Sequence, residues 1–114
     1  MAKGEILNLS IDFAVRVVNE FGKPKSHFSV FDQVLRAGTS IGANVHEANY
    51  GASKADFTNK LQIALKECYE TEYWLELMRR THLISEETAK ELLADCKNLR
   101  FKLVKSINTV KTND

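Results

Sequence analysis

The chain holds a single proline and only five glycines in 114 residues. These residues punctuate turns, so a turn-rich all-β architecture is excluded. No apolar run approaches the roughly 18 residues that cross a bilayer, and the opening MAKGEILNLS lacks the apolar core of a signal peptide. A cytoplasmic protein with no membrane partner is expected. Cysteine is scarce as well. Cys68 and Cys96 form no Cys-x-x-Cys and both fall on apolar helical positions. Buried reduced thiols are expected there rather than a disulfide. The net charge of +1 gives no global attraction to nucleic acid or membrane, so any such binding needs a local patch. Repeats, low-complexity segments and linkers are absent, and residues 1–114 read as one domain.

Catalytic constellations are missing too. A carboxylate-bridged di-iron site in a helical bundle needs Glu-x-x-His on two helices, and the chain has no such motif. Its three histidines are His27 in a loop, His46 beside Glu47, and His82 at a helix end. Neighbouring helical residues point about 100° apart, so His46 and Glu47 cannot both aim at one metal. Ser40 has no histidine in its helical neighbourhood to serve as a base. There is no Gly-rich phosphate loop. No enzyme activity, cofactor or metal is expected.

What is present is helical periodicity. Ile6, Leu9, Phe13, Val17 and Phe21 predict a first helix over about 5–21, with Leu7, Ala14 and Val18 widening its apolar stripe and Gly22 and Pro24 ending it. A second helix is expected over about 30–49, capped by Ser29 with Asp32 three residues on. Ser53 and Asp56 repeat that arrangement before a long third helix, about 53–80. Its seam is Phe57, Leu61, Ala64, Cys68, Thr71, Leu75 and Met78. Ser85, Glu86 and Glu87 open a fourth helix, about 85–111, with Leu92, Cys96, Leu99, Leu103, Ile107 and Val110 inward. Four helices with short connections predict an all-α, antiparallel up-down-up-down bundle. Apolar residues outside these seams, chiefly Ile63, Trp74, Leu77 and Phe101, exceed what one interior needs, and self-association through them is expected.

Two polar features stand out. Along the second helix, Gln33, Arg36, Ser40, Asn44 and Glu47 recur at three- and four-residue steps beside the apolar stripe, and Ala37, Gly38, Gly42 and Ala43 leave room for a close neighbour. One reading is a hydrogen-bonded row at a helix seam, with Arg36 on a carboxylate and Asn44 bonding across to another helix. The other is a row facing a ligand or nucleic acid in an assembly. The second feature is basic. Lys97, Arg100, Lys102, Lys105 and Lys111 follow one another without an intervening acid, and Lys97 and Lys105 flank Phe101 on the outward side. This face could neutralise phosphates or simply be solvated, its cations favouring a helix C-terminus. Glu67, Glu70, Glu72 and Glu76 read as an ion-paired row, with Lys66–Glu70 and Glu76–Arg80 at pairing distance.

The row Gln33, Arg36-Ala37, Ser40-Ile41, Asn44, Glu47-Ala48 resembles the Q-x-x-R-A-x-x-S-I-x-x-N-x-x-E-[AG] signature of a bacterial four-helix bundle family. That family is named for the protein encoded in intervening sequences of 23S ribosomal RNA genes. Ile63-Ala64-Leu65-Lys66-Glu67, Glu70-Thr71 and Tyr73-Trp74-Leu75-Glu76-Leu77 match the third helix of one subgroup. His82 departs from the pattern, since many members carry glycine at that turn. The resemblance implies a homopentameric ring of bundles. It also implies kinship with the accessory variability protein of diversity-generating retroelements, a pentameric bundle that binds nucleic acid and a reverse transcriptase. The expected function is thus a non-enzymatic homo-oligomer binding RNA, DNA or a nucleoprotein partner. The alternative is a protein-only scaffold for a co-encoded partner.

Overall fold

The 3.6-residue spacing of the apolar residues is realised as four helices: α1 (Lys3–Phe21), α2 (Ser29–Ala48), α3 (Lys54–Arg80) and α4 (Glu86–Thr112). The computed structural model describes residues 3–22 and 29–112, and these contain no strand. The segment 23–28, with the expected stop at Pro24 and the loop residues Lys23, Lys25 and His27, lies outside the described residues. The expected cap at Ser29 sits at their edge, where Ser29 is already the first residue of α2. The 27-residue α3 and α4 are about 40 Å long at 1.5 Å per residue, in keeping with a long axis of 47 Å.

The helix ends follow local chemistry. Ser53 holds an extended backbone and its hydroxyl accepts the Asp56 N–H at 3.1 Å. Ser85 does the same for the Thr88 N–H at 3.0 Å, and Glu86 and Glu87 add negative charge to that first turn. At the end of α3, the His82 N–H donates to Arg79 O at 3.2 Å and the Leu83 N–H to Met78 O at 3.0 Å. These paired bonds are a Schellman closure, which needs a left-handed residue at its centre. His82 supplies it at φ 60°.

The expected seams form the core. Phe13, Val17, Val34, Ile41, Val45, Leu61, Cys68, Leu75, Leu92, Cys96, Leu99 and Leu103 are all buried. Each helix packs on its neighbours in sequence, and α4 returns to α1. The diagonal pairs, α1 with α3 and α2 with α4, make no close backbone approach. The small residues of α2 allow a close approach at the α1–α2 seam. A Cβ on Gly38 would lie 3.0 Å from Val17 Cγ2, and one on Gly42 would lie 3.3 Å from Ser10 O. The α1 backbone therefore rests on the glycine face of α2. The α1–α4 seam is the sparsest, bridged at its rim by Arg16–Glu91 at 2.5 Å and Lys102–Glu5 at 3.5 Å.

Candidate functional site

The polar row of α2 looks towards α3. Arg36 forks between two α3 carboxylates, bonding Glu70 closely and Glu67 at 3.4 Å. Glu70 also accepts the Trp74 Nε1–H at 3.0 Å. Its carboxyl is held below the ordinary range by the Trp74 bond first and by Arg36 next. At the other end of the row, Glu47 accepts from Lys60 Nζ at 2.8 Å, and that bond lowers the Glu47 pKa. The reading of Arg36 on a carboxylate matches this geometry. That of Asn44 does not. Its Nδ2 donates to Ser40 O at 2.9 Å within α2, and the Ser40 hydroxyl donates to Arg36 O at 2.8 Å. A half-buried Asn or Ser in a helix reaches its own preceding turn more readily than a neighbour's backbone, whose groups are already paired. Gln33 is half-buried on the same row. The ion pair expected between Lys66 and Glu70 is not formed, because Arg36 and Trp74 occupy that carboxylate. Glu76–Arg80 is formed at 2.8 Å, and Arg79 shares the same carboxylate at 2.5 Å.

The basic residues of α4 do not make one patch. Arg100 turns to α3, where its Nε bonds Glu72 at 2.6 Å and its guanidinium lies 5.4 Å from the Tyr69 ring centre. Lys102 points to the opposite flank, towards Glu5 of α1. Lys97, Phe101 and Lys105 are exposed on the outward side, with Phe101 67% accessible. Four-residue steps keep those three aligned, whereas the steps from Lys97 to Arg100 and from Lys97 to Lys102 rotate the side chains to either flank.

Lys102 and Lys105 gain a different companion. The beginnings of α1 and α3 and the last turns of α4 converge on an open cleft of about 500 Å³. It is lined by the apolar Ile6, Phe57 and Val110, by Lys54, Lys102 and Lys105 with Glu5 beside Lys102, and by the hydroxyls of Ser53, Ser106 and Thr109. The ends of α1 and α3 that open here are the positive ends of their dipoles. Lys54 is a cation that sequence spacing could not associate with α4, since nothing in the chain order brings residue 54 beside residue 105.

The surface apolar residues are also redistributed. Ile63, Trp74 and Leu77 are half-buried, and Trp74 packs against the core with its ring steeply inclined to that of Tyr73, centroids 5.0 Å apart. The exposed aromatics of α3 are Tyr69 and Tyr73. On α1, Ile11, Val15 and Val18 are 45%, 53% and 47% accessible, so Val18 faces outwards instead of widening the core stripe. Their four- and three-residue spacing was the available signal. Cys68 and Cys96 are buried free thiols. The hydrogen bond to Cys68, aided by burial, drives the Cys96 pKa upward, leaving an inert thiol.

Comparison with known proteins now bears on this geometry. The sequence profile of the 23S rRNA-intervening sequence proteins matches residues 2–105. The chain belongs to that family. It is similar to a protein with unknown function from the S23 ribosomal protein family of Bacteroides thetaiotaomicron VPI-5482, known from a crystal structure at 1.70 Å resolution. The two share 43% identity and a TM-score of 0.90 over 95% of this chain and 99% of the other. No curated protein matches the chain. In this member of the family, the signature residues Arg36 and Glu47 tie α2 to α3, while Ser40 and Asn44 bond along α2 itself. No described helix is long and apolar enough to cross a membrane.

Proposed function

We propose that the protein is a non-enzymatic, cytoplasmic homo-oligomer, in family terms a pentamer, of up-down-up-down bundles that binds the phosphate backbone of nucleic acid. The short connections and the neighbour-only packing support the up-down arrangement. The observation that carries the binding reading is the end cleft, where Lys54, Lys105 and Lys102, the last loosely paired with Glu5, meet the opening turns of two helices. Lys97 extends that positive edge along the outer side of α4. Repetition around a ring would multiply a patch that is small on one chain. Affinity would come from counterion release and carry little base specificity. Arg100, already neutralised by Glu72, contributes to α3–α4 packing instead.

A second reading is a scaffold that binds only protein, including a co-encoded partner. It is favoured by the extent of internal neutralisation, since Arg16, Arg36, Arg79, Arg80 and Arg100 all sit on carboxylates of the same chain. Fluorescence anisotropy with structured RNA and duplex DNA at several salt concentrations separates the two. Binding that weakens steeply with salt is expected, and Lys102→Glu with Lys105→Glu should abolish it. Neutralising the same pair to Gln should flatten the log–log salt slope by about 1 per lysine. Absence of binding at low salt would eliminate the nucleic-acid reading and leave the scaffold.

A further inference from the structure

Neutralising a phosphate takes a cation at the surface and no hollow. The end cleft is hollow, its volume of about 500 Å³ falling within the roughly 300–1,000 Å³ of small-ligand sites, and much of its lining is uncharged. Ile6 is buried and Val110 half-buried, and the half-buried Phe57 both packs against the core and lines the cleft. Two hydroxyls have capacity to spare. That of Ser53 accepts the Asp56 N–H at 3.1 Å and keeps its own hydrogen to donate. Ser106 is half-buried in the lining and, unlike Thr39, Ser40 and Thr71, makes no bond back to a carbonyl of its own helix. Lys105 is exposed and has no ion pair among the described residues, while Lys102 meets Glu5 only at 3.5 Å. A solvent-facing pair of that kind contributes little, so a phosphate can take Lys102 from it.

We infer that the cleft takes an unpaired nucleotide of a single strand, its base against Phe57 and its phosphate on Lys105 and Lys102. This rests on the nucleic-acid reading above and names the form of nucleic acid that the site selects. A duplex keeps its bases stacked inside and presents phosphates on a convex surface, so it could use the lysines and nothing else in the cleft. An unpaired base offers a π face to an aromatic ring, and its edge offers donors and acceptors to the serine hydroxyls. Each kind of lining residue then has a counterpart on one nucleotide. A hydrocarbon tail would leave the hydroxyls covered and unmatched, and a bare phosphate would leave the apolar lining unused. Stacking tolerates any base, so the selection is for strandedness and not for sequence.

The test is fluorescence anisotropy with short mixed-sequence RNA and DNA strands, the same strands annealed to their complements, and abasic versions of the strands. Intact strands are expected to bind about tenfold more tightly than duplexes or abasic strands, the size of one lost stacking contact. Phe57→Leu and Ser106→Leu should each remove that preference and bring the strand to the affinity of the duplex, with circular dichroism verifying the fold of both. Ser106→Leu fills the cleft and leaves Phe57 and the lysines in place, so it decides the matter even where Phe57→Leu does not fold. No binding of strand or duplex at low salt overturns the nucleic-acid reading and this inference together. Equal affinity of the wild type for strand and duplex, an abasic strand bound as tightly as an intact one, or a preference retained by Ser106→Leu overturns the inference alone and leaves backbone binding standing. Displacement of the strand at equal concentration by free AMP, or by laurate as a simple anionic amphiphile, would assign the cleft to a small ligand and overturn the strand.

Discussion

His82 carries a left-handed backbone that glycine adopts without a steric penalty. It persists because the Schellman bonds to Arg79 and Met78 and the packing of Leu83 on the core require a turn there. His82→Gly should therefore raise stability by about 0.5–1 kcal/mol, after allowing for the greater freedom of glycine in the unfolded chain. A thermal melt followed by circular dichroism should show an increase of a few degrees, and a lower melting temperature would refute the strain. At this scale the sequence is legible in parts. The partner class of Arg36 could be read because a guanidinium at a seam needs a carboxylate. Asn44 could not be read, because its amide has two uses, across the seam or back along its helix. Only the distance to Ser40 O decides between them. Replacing Asn44 therefore sacrifices an own-helix bond and not a tie between helices.

At the scale of elements, α1 and α4 each pack mainly on one neighbour and meet each other across the sparsest seam. α1 leans on α2 through Gly38 and Gly42 and meets α4 more sparsely, through Leu9 and Phe13 beside Leu99 and the rim ion pairs. Surface pairs of this kind are worth about 0–1 kcal/mol each, so most of the attachment of α1 comes from packing on α2. Gly38→Leu would push a side chain into the space of Val17, which is fully buried and has nowhere to move. Its expected cost is about 1–3 kcal/mol, typical of overpacking. Native-state hydrogen exchange should then show protection lost first in α1, with α3 and α4 least affected. Uniform loss across all four helices would show that α1 is not a separable unit. The smallness of Gly38 and Gly42 was visible in the chain, but not which helix would use it. Trp74 gives the converse lesson. Its spacing suggested a surface contact, yet the Glu70 carboxylate and the core draw it inwards, and Tyr73 one position earlier is left exposed.

For the whole molecule, near-neutral net charge conceals a divided distribution. Carboxylates of α3 and α4 pair with Arg16, Arg36 and Arg100 across the seams, Lys60 and Lys102 pair with Glu47 and Glu5, and Lys97 and Lys105 stand exposed on the outer side of α4. This arrangement has a pH signature. The bonds from Arg79 and Arg80 hold Glu76 down to about 2 from an ordinary 4.5, and Glu47 and Glu70 are lowered by Lys60 and by Trp74 with Arg36. A carboxyl depressed in the folded state stabilises it above the unfolded pKa and loses that contribution as pH falls through the folded value. The melting temperature should therefore decline as pH falls from 4.5 towards 2, and Glu76→Gln should reduce the decline. An unchanged profile in that variant would show that the Arg79–Glu76–Arg80 cluster does not hold in solution. The sequence by itself determined that the chain is all-α with four helices, where most of their ends lie and which row of each faces inward. Apolar periodicity and capping are local properties, written within a few residues of where they act. Only the tertiary structure decided that Lys54 lines the same cleft as Lys105 and that Arg100 is held by Glu72. Those relations depend on how four cylinders are rotated about their axes, and that rotation is set by packing between residues far apart in the chain.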